Sequence, residues 1–307
     1  MRNSIRFWHS LSDYELKISV SRRCDIPRFR FDWFLERLDT GYAEAVNPYN
    51  KAQIRRVSLL PQEVTALIFW TRDPRPILAH AKELEVRGYR FYVMVTLTGY
   101  PAVLEPNVPP PEAIIAAMGE LAEKIGPERV IWRYDPIFLS SLTDSAFHLR
   151  NFEALAEALA GKVRRVIISV YDEYGGAKGR LAALEKAGSL TLTPHYQTMN
   201  GAGRLLPEVR ALLGELAAIA ANAGLEIQSC AEEDLSADPY EPQLGIKAGA
   251  CIDAELIRRL FPQDTPPDIE TGKKDKYQRP HCRCVPSVDI GAYGPCPAGC
   301  VYCYAWR

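Results

Sequence analysis

The sequence predicts an α/β fold, a TIM-like (β/α) barrel, complete or partial, with a cysteine-rich C-terminal tail. Three observations predict it. Apolar runs that read as strands alternate with helical patterns at least six times. The strands are nearly continuous in apolar residues, as in a parallel sheet covered on both faces. The length, 307 residues, suits one large unit of this kind. A doubly wound open sheet is the competing architecture.

Each element has its own signal. Residues 17–23 read as a short strand, broken by Cys24, Asp25 and Pro27. A helix with Trp33, Phe34, Leu35 and Leu38 on one side follows to about residue 39. Residues 42–46 read as a strand ending at Asn47-Pro48, and residues 53–60 as a helical turn or edge strand. Residues 64–70 form a buried strand ending in Thr71-Arg72-Asp73-Pro74, and a helix over 76–87 stops at Gly88. The unit then recurs. A strand over 89–97 ends at Thr98-Gly99-Tyr100-Pro101, and the proline-rich segment 106–111 leads into a helix over 112–125, closed by Gly126. A strand over 129–132 ends at Arg133-Tyr134-Asp135-Pro136, and Asp144 or Ser145 caps a helix to about residue 159. A strand over 163–170 ends at Tyr171-Asp172, followed by a helix over 179–187. Residues 190–194 read as an extra strand or a loop. A helix over 207–223 precedes a strand over 225–230, which ends at Glu232-Glu233-Asp234, and residues 251–260 read as a helix. The pattern predicts a barrel over 1–260 and a cysteine-rich tail over 261–307 packed on its mouth, as a single unit. The tail holds a loop over 262–267, a basic run of Lys273, Lys274, Lys276, Arg279 and Arg283, and a last short strand over 287–290.

Composition narrows the function. The formal net charge of -1 supplies no global field to recruit nucleic acid. No apolar run is long enough for a membrane span. The segment 1–21 is polar and aromatic and lacks a signal peptide's apolar core, which predicts a cytoplasmic protein. Eight cysteines in that compartment argue for metal or catalysis rather than disulfides.

The chemistry is concentrated at the end. Cys296, Cys300 and Cys303 are spaced C-x3-C-x2-C in a Gly- and Pro-containing loop, so all three thiolates can reach one metal centre. A cubane [4Fe-4S] cluster takes such ligands, and three of them leave one iron open for a small molecule. A zinc knuckle and inert buried thiols are the competing readings. Cys230, Cys251, Cys282 and Cys284 can form a second four-thiolate site, a second [4Fe-4S] cluster or zinc, with His281 as a replacement ligand that would favour zinc. In parallel α/β folds ligands bind at the carboxyl ends of strands. Those ends carry Arg22, Arg23, Asp25, Arg72, Asp73, Thr96, Thr98, Arg133, Asp135, Asp172 and Glu232. Arg133, Asp135, Arg72 and Asp73 are the candidate catalytic residues, and Tyr302, Arg22, Arg23 and Asp25 the candidate cofactor-binding residues. The arginines can clamp an anionic group. Alternatively, the aspartates neutralise them as structural ion pairs. If the barrel closes, the strand at 287–290 must lie beside the first.

Two resemblances follow from these motifs. The Cys296-x3-Cys300-x-Tyr302-Cys303 loop resembles the cluster loop of radical S-adenosylmethionine enzymes, and its Tyr-Cys-Tyr-Ala ending is most similar to the spore photoproduct lyase-like branch. That resemblance implies a [4Fe-4S] cluster, S-adenosylmethionine chelated at the open iron, an electron donor of flavodoxin or ferredoxin type, and a circularly permuted barrel, since the loop stands last. The Gly-Gly-Glu segment that binds the amino group in that superfamily is absent. The chain as a whole resembles the bacterial family called domain of unknown function 1848. The matching motifs include Ser21-Arg22-Arg23-Cys24-Asp25-Ile26-Pro27, Phe69-Trp70-Thr71-Arg72-Asp73-Pro74, Trp132-Arg133-Tyr134-Asp135-Pro136-Ile137, Cys282-x-Cys284 and the final loop. That resemblance implies motifs at strand ends and a cysteine-rich tail, but no reaction. The expectation is an iron–sulfur enzyme acting on an unidentified substrate. The alternative is a non-catalytic zinc- or iron–sulfur-binding module that recognises a ligand or nucleic acid.

Overall fold

The computed structural model describes residues 16–199, 202–232, 235, 244–263 and 274–306. The expectations for residues 1–15, Glu233, Asp234, the loop residues 264–267 and Lys273 lie outside them. In chain order the elements are β1 (Leu16–Val20), α1 (Ile26–Phe29), α2 (Phe31–Thr40), β2 (Tyr42–Asn47), β3 (Asn50–Ser58), β4 (Val64–Thr71) and α3 (Arg75–Val86). There follow β5 (Phe91–Thr96), α4 (Pro111–Ile125), β6 (Val130–Ile137), α5 (Ser145–Leu159), β7 (Arg165–Val170) and α6 (Gly175–Lys186). The chain continues with β8 (Tyr196–Met199), β9 (Ala202–Leu205), α7 (Pro207–Asn222), β10 (Glu226–Cys230), β11 (Lys247–Gly249), α8 (Ala254–Leu260) and β12 (Val288–Asp289).

Eight of the strands form one sheet in the order β11-β10-β7-β6-β5-β4-β1-β12. Every pairing in it is parallel. The architecture is therefore α/β with an eight-stranded parallel sheet whose neighbours follow chain order. The one exception is β12, which pairs with β1 through Ile18↔Val288 and Ser19↔Asp289. The expected meeting of the last and first strands is thus present. Asp289 fastens it by accepting from Ser19 Oγ at 2.8 Å, Ser21 Oγ at 2.5 Å and the Arg22 amide at 2.8 Å. Gly291 next to it has no room for a side chain, because a Cβ there would stand 2.1 Å from Ser21 Oγ. Among the described residues β11 and β12 share no ladder.

The continuous apolar strands explain the layers. β4 is buried at every position. Leu67 and Phe69 join Val93, Trp132, Val166 and Ile168 in a core with the apolar faces of α1 to α5 and α7. The alternate residues Ala66, Ile68, Trp70, Tyr92, Met94, Ile131 and Ile167 form a second core with α8, Cys251, Cys282 and Cys284. A strand alternates its side chains between the two faces, so a strand packed on both reads as an unbroken apolar run. Each fully buried large apolar side chain contributes about 1.5–3 kcal/mol.

Local signals set most boundaries. Asp144 caps α5 by accepting from the Phe147 amide at 2.7 Å, and Asp253 caps α8 from Leu256 at 3.0 Å, so that helix starts later than residue 251. β2 and β3 form an antiparallel hairpin outside the main sheet. The segment 190–194 is a loop with one isolated bridge between Ser140 and Leu192. The β8–β9 hairpin and the three-residue β11 carry no periodicity to find in sequence. Among the described residues no helix is long and apolar enough to cross a membrane.

Candidate metal centre

The carboxyl ends of β1, β4, β5, β6, β7 and β10 and the cysteine tail line one cavity of about 830 Å³. All eight cysteines of the chain line it. Chance burial of thiols would scatter them through several cores.

The tail loop is held from several sides. Val301 donates its amide to the Leu104 carbonyl at 3.0 Å, and Asn107 Nδ2 donates to the Pro297 carbonyl at 2.9 Å. Gly299 turns the loop at φ +69°, where a Cβ would stand only 3.1 Å from Pro106, so glycine suits this approach. Arg180 on α6 donates Nε to the Val301 carbonyl and Nη1 to the Trp306 carbonyl, both at 2.9 Å, and Nη2 to the Cys303 carbonyl. Its guanidinium also lies over the Trp306 ring at 4.5 Å. Sequence reading missed Arg180 because nothing marks it among other helix arginines. Arg72 anchors the loop from the carboxyl end of β4, one residue beyond it: Nη2 donates to Tyr302 Oη at 2.6 Å, and Nη1 to Glu105 Oε1 at 2.6 Å and Thr98 Oγ1 at 3.0 Å. Tyr302 also donates to Glu105, and its ring stacks on Phe138 at 6.0 Å.

The three tail thiols face the cavity from this frame. Burial pushes the Cys300 thiol up to about 12, against the opposing guanidinium of Arg72. Burial also raises Cys296, while the amides of Ala298 and Asp25 oppose the shift. Buried thiols with N–H groups and a guanidinium at hand suit a thiolate-bound centre, which supplies the missing positive charge. The set contains only soft donors, as iron–sulfur clusters and zinc prefer.

Cys230, Cys251, Cys284 and Cys282 form a row. Cys251 Sγ lies 3.5 Å from Cys230 Sγ, the Ile252 amide donates to Cys284 Sγ at 3.3 Å, and the Cys284 amide to Cys282 Sγ at 3.4 Å. None forms a disulfide. Contact with Cys251 lowers the pKa of Cys230, and contact with Cys251 and Cys282 lowers that of Cys284. Cys251 and Cys282 are raised as the donors. His281 is exposed and lies outside the cavity wall. Among the described residues no three His, Cys, Asp or Glu side chains already surround a common point at single-ion spacing.

The charged strand ends fall into two groups. Arg133, Asp135, Arg22, Arg23, Asp25 and Arg72 line the cavity with Tyr302, whereas Asp73 does not. Asp73 turns to Arg75, accepting from Nε at 2.8 Å and Nη2 at 2.6 Å. Asp25 caps α1 and accepts from Thr71 Oγ1 and the Arg72 amide, both at 2.8 Å. Burial outweighs these donors and raises its carboxyl to about 6. Arg22 is tied to Ser287 and Asp289, and Arg23 lies over the Tyr293 ring at 5.3 Å. Arg133 pairs with Asp135, which accepts from Ser169 Oγ at 2.6 Å, and lies over the Trp70 ring at 4.8 Å. Three side chains of the wall keep a buried polar atom without a protein partner: Arg133 Nε, Trp70 Nε1 and Tyr171 Oη. Arg279, paired with Asp172, also reaches the wall and donates to the Cys230 carbonyl at 3.4 Å.

No curated protein matches the chain. Among solved structures it is similar, at 10% identity and a TM-score of 0.26, to a chain from the study of the pneumococcal virulence factor StrH and its N-glycan recognition and hydrolysis. The match covers 81% of this chain and 63% of that one, under two thirds of its length, and likeness at this TM-score carries no argument. A family model described as Domain of unknown function (DUF1848) matches residues 17–305, which include every residue of the cavity wall, so the chain belongs to that family.

Proposed function

We propose that the chain is an iron–sulfur enzyme of the radical S-adenosylmethionine type, with Cys296, Cys300 and Cys303 holding a [4Fe-4S] cluster. The observation that carries this reading is the convergence of every cysteine on one cavity, three of them from a single loop. When bound, such a cluster supplies reductive cleavage of S-adenosylmethionine to a carbon radical, driven by a flavodoxin- or ferredoxin-type donor.

The chain's own residues do the rest. Arg180, Arg72 and Glu105 fix the loop, so the three thiols are preorganised rather than gathered on binding. The cavity, about 830 Å³, falls within the range of small-ligand sites of roughly 300–1,000 Å³. Its apolar and aromatic walls, Trp70, Tyr171 and Tyr304 among them, exclude water from a reactive intermediate. Arg133 and Asp135 present a charged pair to whatever enters. A guanidinium there can take a carboxylate through paired N–H donors.

The proposal includes a rolled, barrel-like sheet. Helices α1 to α5 and α7 share one core, while the opposite face is filled by strand side chains and α8. A doubly wound sheet would place helices on both faces. The Val285 amide, just before β12, donates to the Ile252 carbonyl, just after β11, at 3.1 Å, which draws the two edges together.

The test is anaerobic reconstitution followed by iron, sulfide and zinc analysis and electron paramagnetic resonance, with and without S-adenosylmethionine. The expected result is a reducible [4Fe-4S] signal that shifts on adding S-adenosylmethionine and is absent when all three tail cysteines are alanine. A colourless protein with zinc at the tail, or a signal that survives the triple substitution, overturns the proposal.

A further inference from the structure

The geometry points to a second, closed metal site in which Cys230, Cys251, Cys282 and Cys284 hold a soft metal as a staple across the open edge of the sheet. The placement of the thiols carries it. Cys230 ends β10 and Cys251 follows β11, so two thiols belong to one edge of the sheet. Cys282 and Cys284 precede β12, at the other edge. Among the described residues these edges share no strand ladder, yet the backbone beside Cys251 touches Cys284 across the gap, and Cys251 Sγ lies against Cys230 Sγ.

The immediate surroundings suit thiolate ligands. The Ile252 amide points at Cys284 Sγ at 3.3 Å, and the Cys284 amide at Cys282 Sγ at 3.4 Å. N–H groups aimed at sulfur stabilise thiolate and tune the centres it binds. The Cys230–Cys251 separation of 3.5 Å is near the roughly 3.8 Å between two sulfurs each about 2.3 Å from one tetrahedral ion. Bringing four thiolates onto one metal requires the row to fold into a compact set, with release of protons on binding. Four protein ligands leave no open position, so this site binds no substrate and serves the fold. The occupant is a zinc ion or a four-thiolate iron–sulfur cluster, which share this soft-donor chemistry.

The site is independent of the proposed tail cluster, and the experiment keeps them apart. The Cys296→Ala/Cys300→Ala/Cys303→Ala protein is purified anaerobically and assayed for zinc, iron and sulfide. About one zinc, or four iron with four sulfide, per chain is expected, and the ratio identifies the occupant. Loading the metal-free triple variant with Co²⁺ should give a thiolate-to-cobalt charge-transfer band. Removing the metal by chelation should lower the melting temperature by about 5 °C or more and speed hydrogen exchange over residues 247–252 and 284–290. Adding Cys282→Ser/Cys284→Ser should abolish the band. Absence of metal from the triple variant together with no cobalt band overturns the staple, whatever the tail does. So does a metal whose removal leaves both stability and exchange unchanged. The chelation arm needs no further substitution, so misfolding of the serine variant does not decide the outcome.

Discussion

Cys296, Cys300 and Cys303 come from one loop, whereas Cys230, Cys251, Cys282 and Cys284 come from three separate stretches. The first set is local in sequence and is held by distant side chains: Arg180 on α6, Arg72 just after β4 and Asn107. The second set is distant in sequence and is held by the backbone around it, with Cys251 against Cys230 and amides of Ile252 and Cys284 on the sulfurs of Cys284 and Cys282. In the proposed centres, three thiols on a framed loop would leave coordination free for a ligand, while four thiols from two sheet edges would leave none. The contrast teaches that ligand count and origin, rather than cysteine content alone, separate a reactive centre from a structural one.

The largest test of that contrast is complete substitution of the tail cysteines. Cys296→Ala/Cys300→Ala/Cys303→Ala should remove all S-adenosylmethionine-responsive resonance signal and all turnover, yet leave the metal at Cys282 and Cys284. Loss of both metals together would show one shared centre instead of two.

Acid should separate the two regions next. Burial lowers His148 and His195 to about 4. Neutral His148 is fixed between Tyr134 Oη at 2.8 Å and the Phe138 carbonyl, and His195 Nε2 accepts from the Leu139 amide at 2.7 Å. Both sit beneath Phe138, on which Tyr302 of the tail stacks. A folded pKa below the unfolded value near 6.5 means that the unfolded chain binds more protons in between. Stability is therefore full above about pH 6.5 and is lost as pH falls towards 4, by on the order of 3 kcal/mol for each histidine. Hydrogen exchange over residues 296–304 should accelerate in that window before exchange over residues 284–290. Simultaneous acceleration would place the histidines' influence on the whole fold rather than under the tail.

A smaller effect is expected from Arg180→Ala. It removes three guanidinium–carbonyl hydrogen bonds and a ring contact, about 3 kcal/mol of tail docking. Reconstituted iron at the tail should fall several-fold, and the staple metal should stay. Full iron content would show that the loop needs no support from α6. The smallest effect is expected from Arg133→Ala, about tenfold in ligand affinity or turnover, with both metals retained. Unchanged affinity measured by calorimetry would assign Arg133 to its pairing with Asp135 alone.

Much of this architecture was legible in sequence, and the unread parts have physical causes. Apolar runs such as residues 64–70 are a one-dimensional record of burial on both faces, so the parallel α/β sheet could be read from them. The tail spacing is likewise local, and local chemistry survives in a string of letters. Asp25, Asp73 and Asp144 look alike in sequence, each beside a proline or at a helix start. Only packing gives Asp25 a place in the cavity wall and turns Asp73 away to Arg75. The same holds for Arg72, which anchors Tyr302 across 230 residues. Sequence alone determined the family motifs, the alternation of strands and helices, and three thiols within reach of one another. Tertiary structure alone decided that Arg180 carries the tail, that Arg72 anchors Tyr302, and that the Ile252 amide donates to Cys284 Sγ. The reason is that a contact between residues far apart in the chain is fixed by the packing of everything between them, and no short stretch of sequence records it.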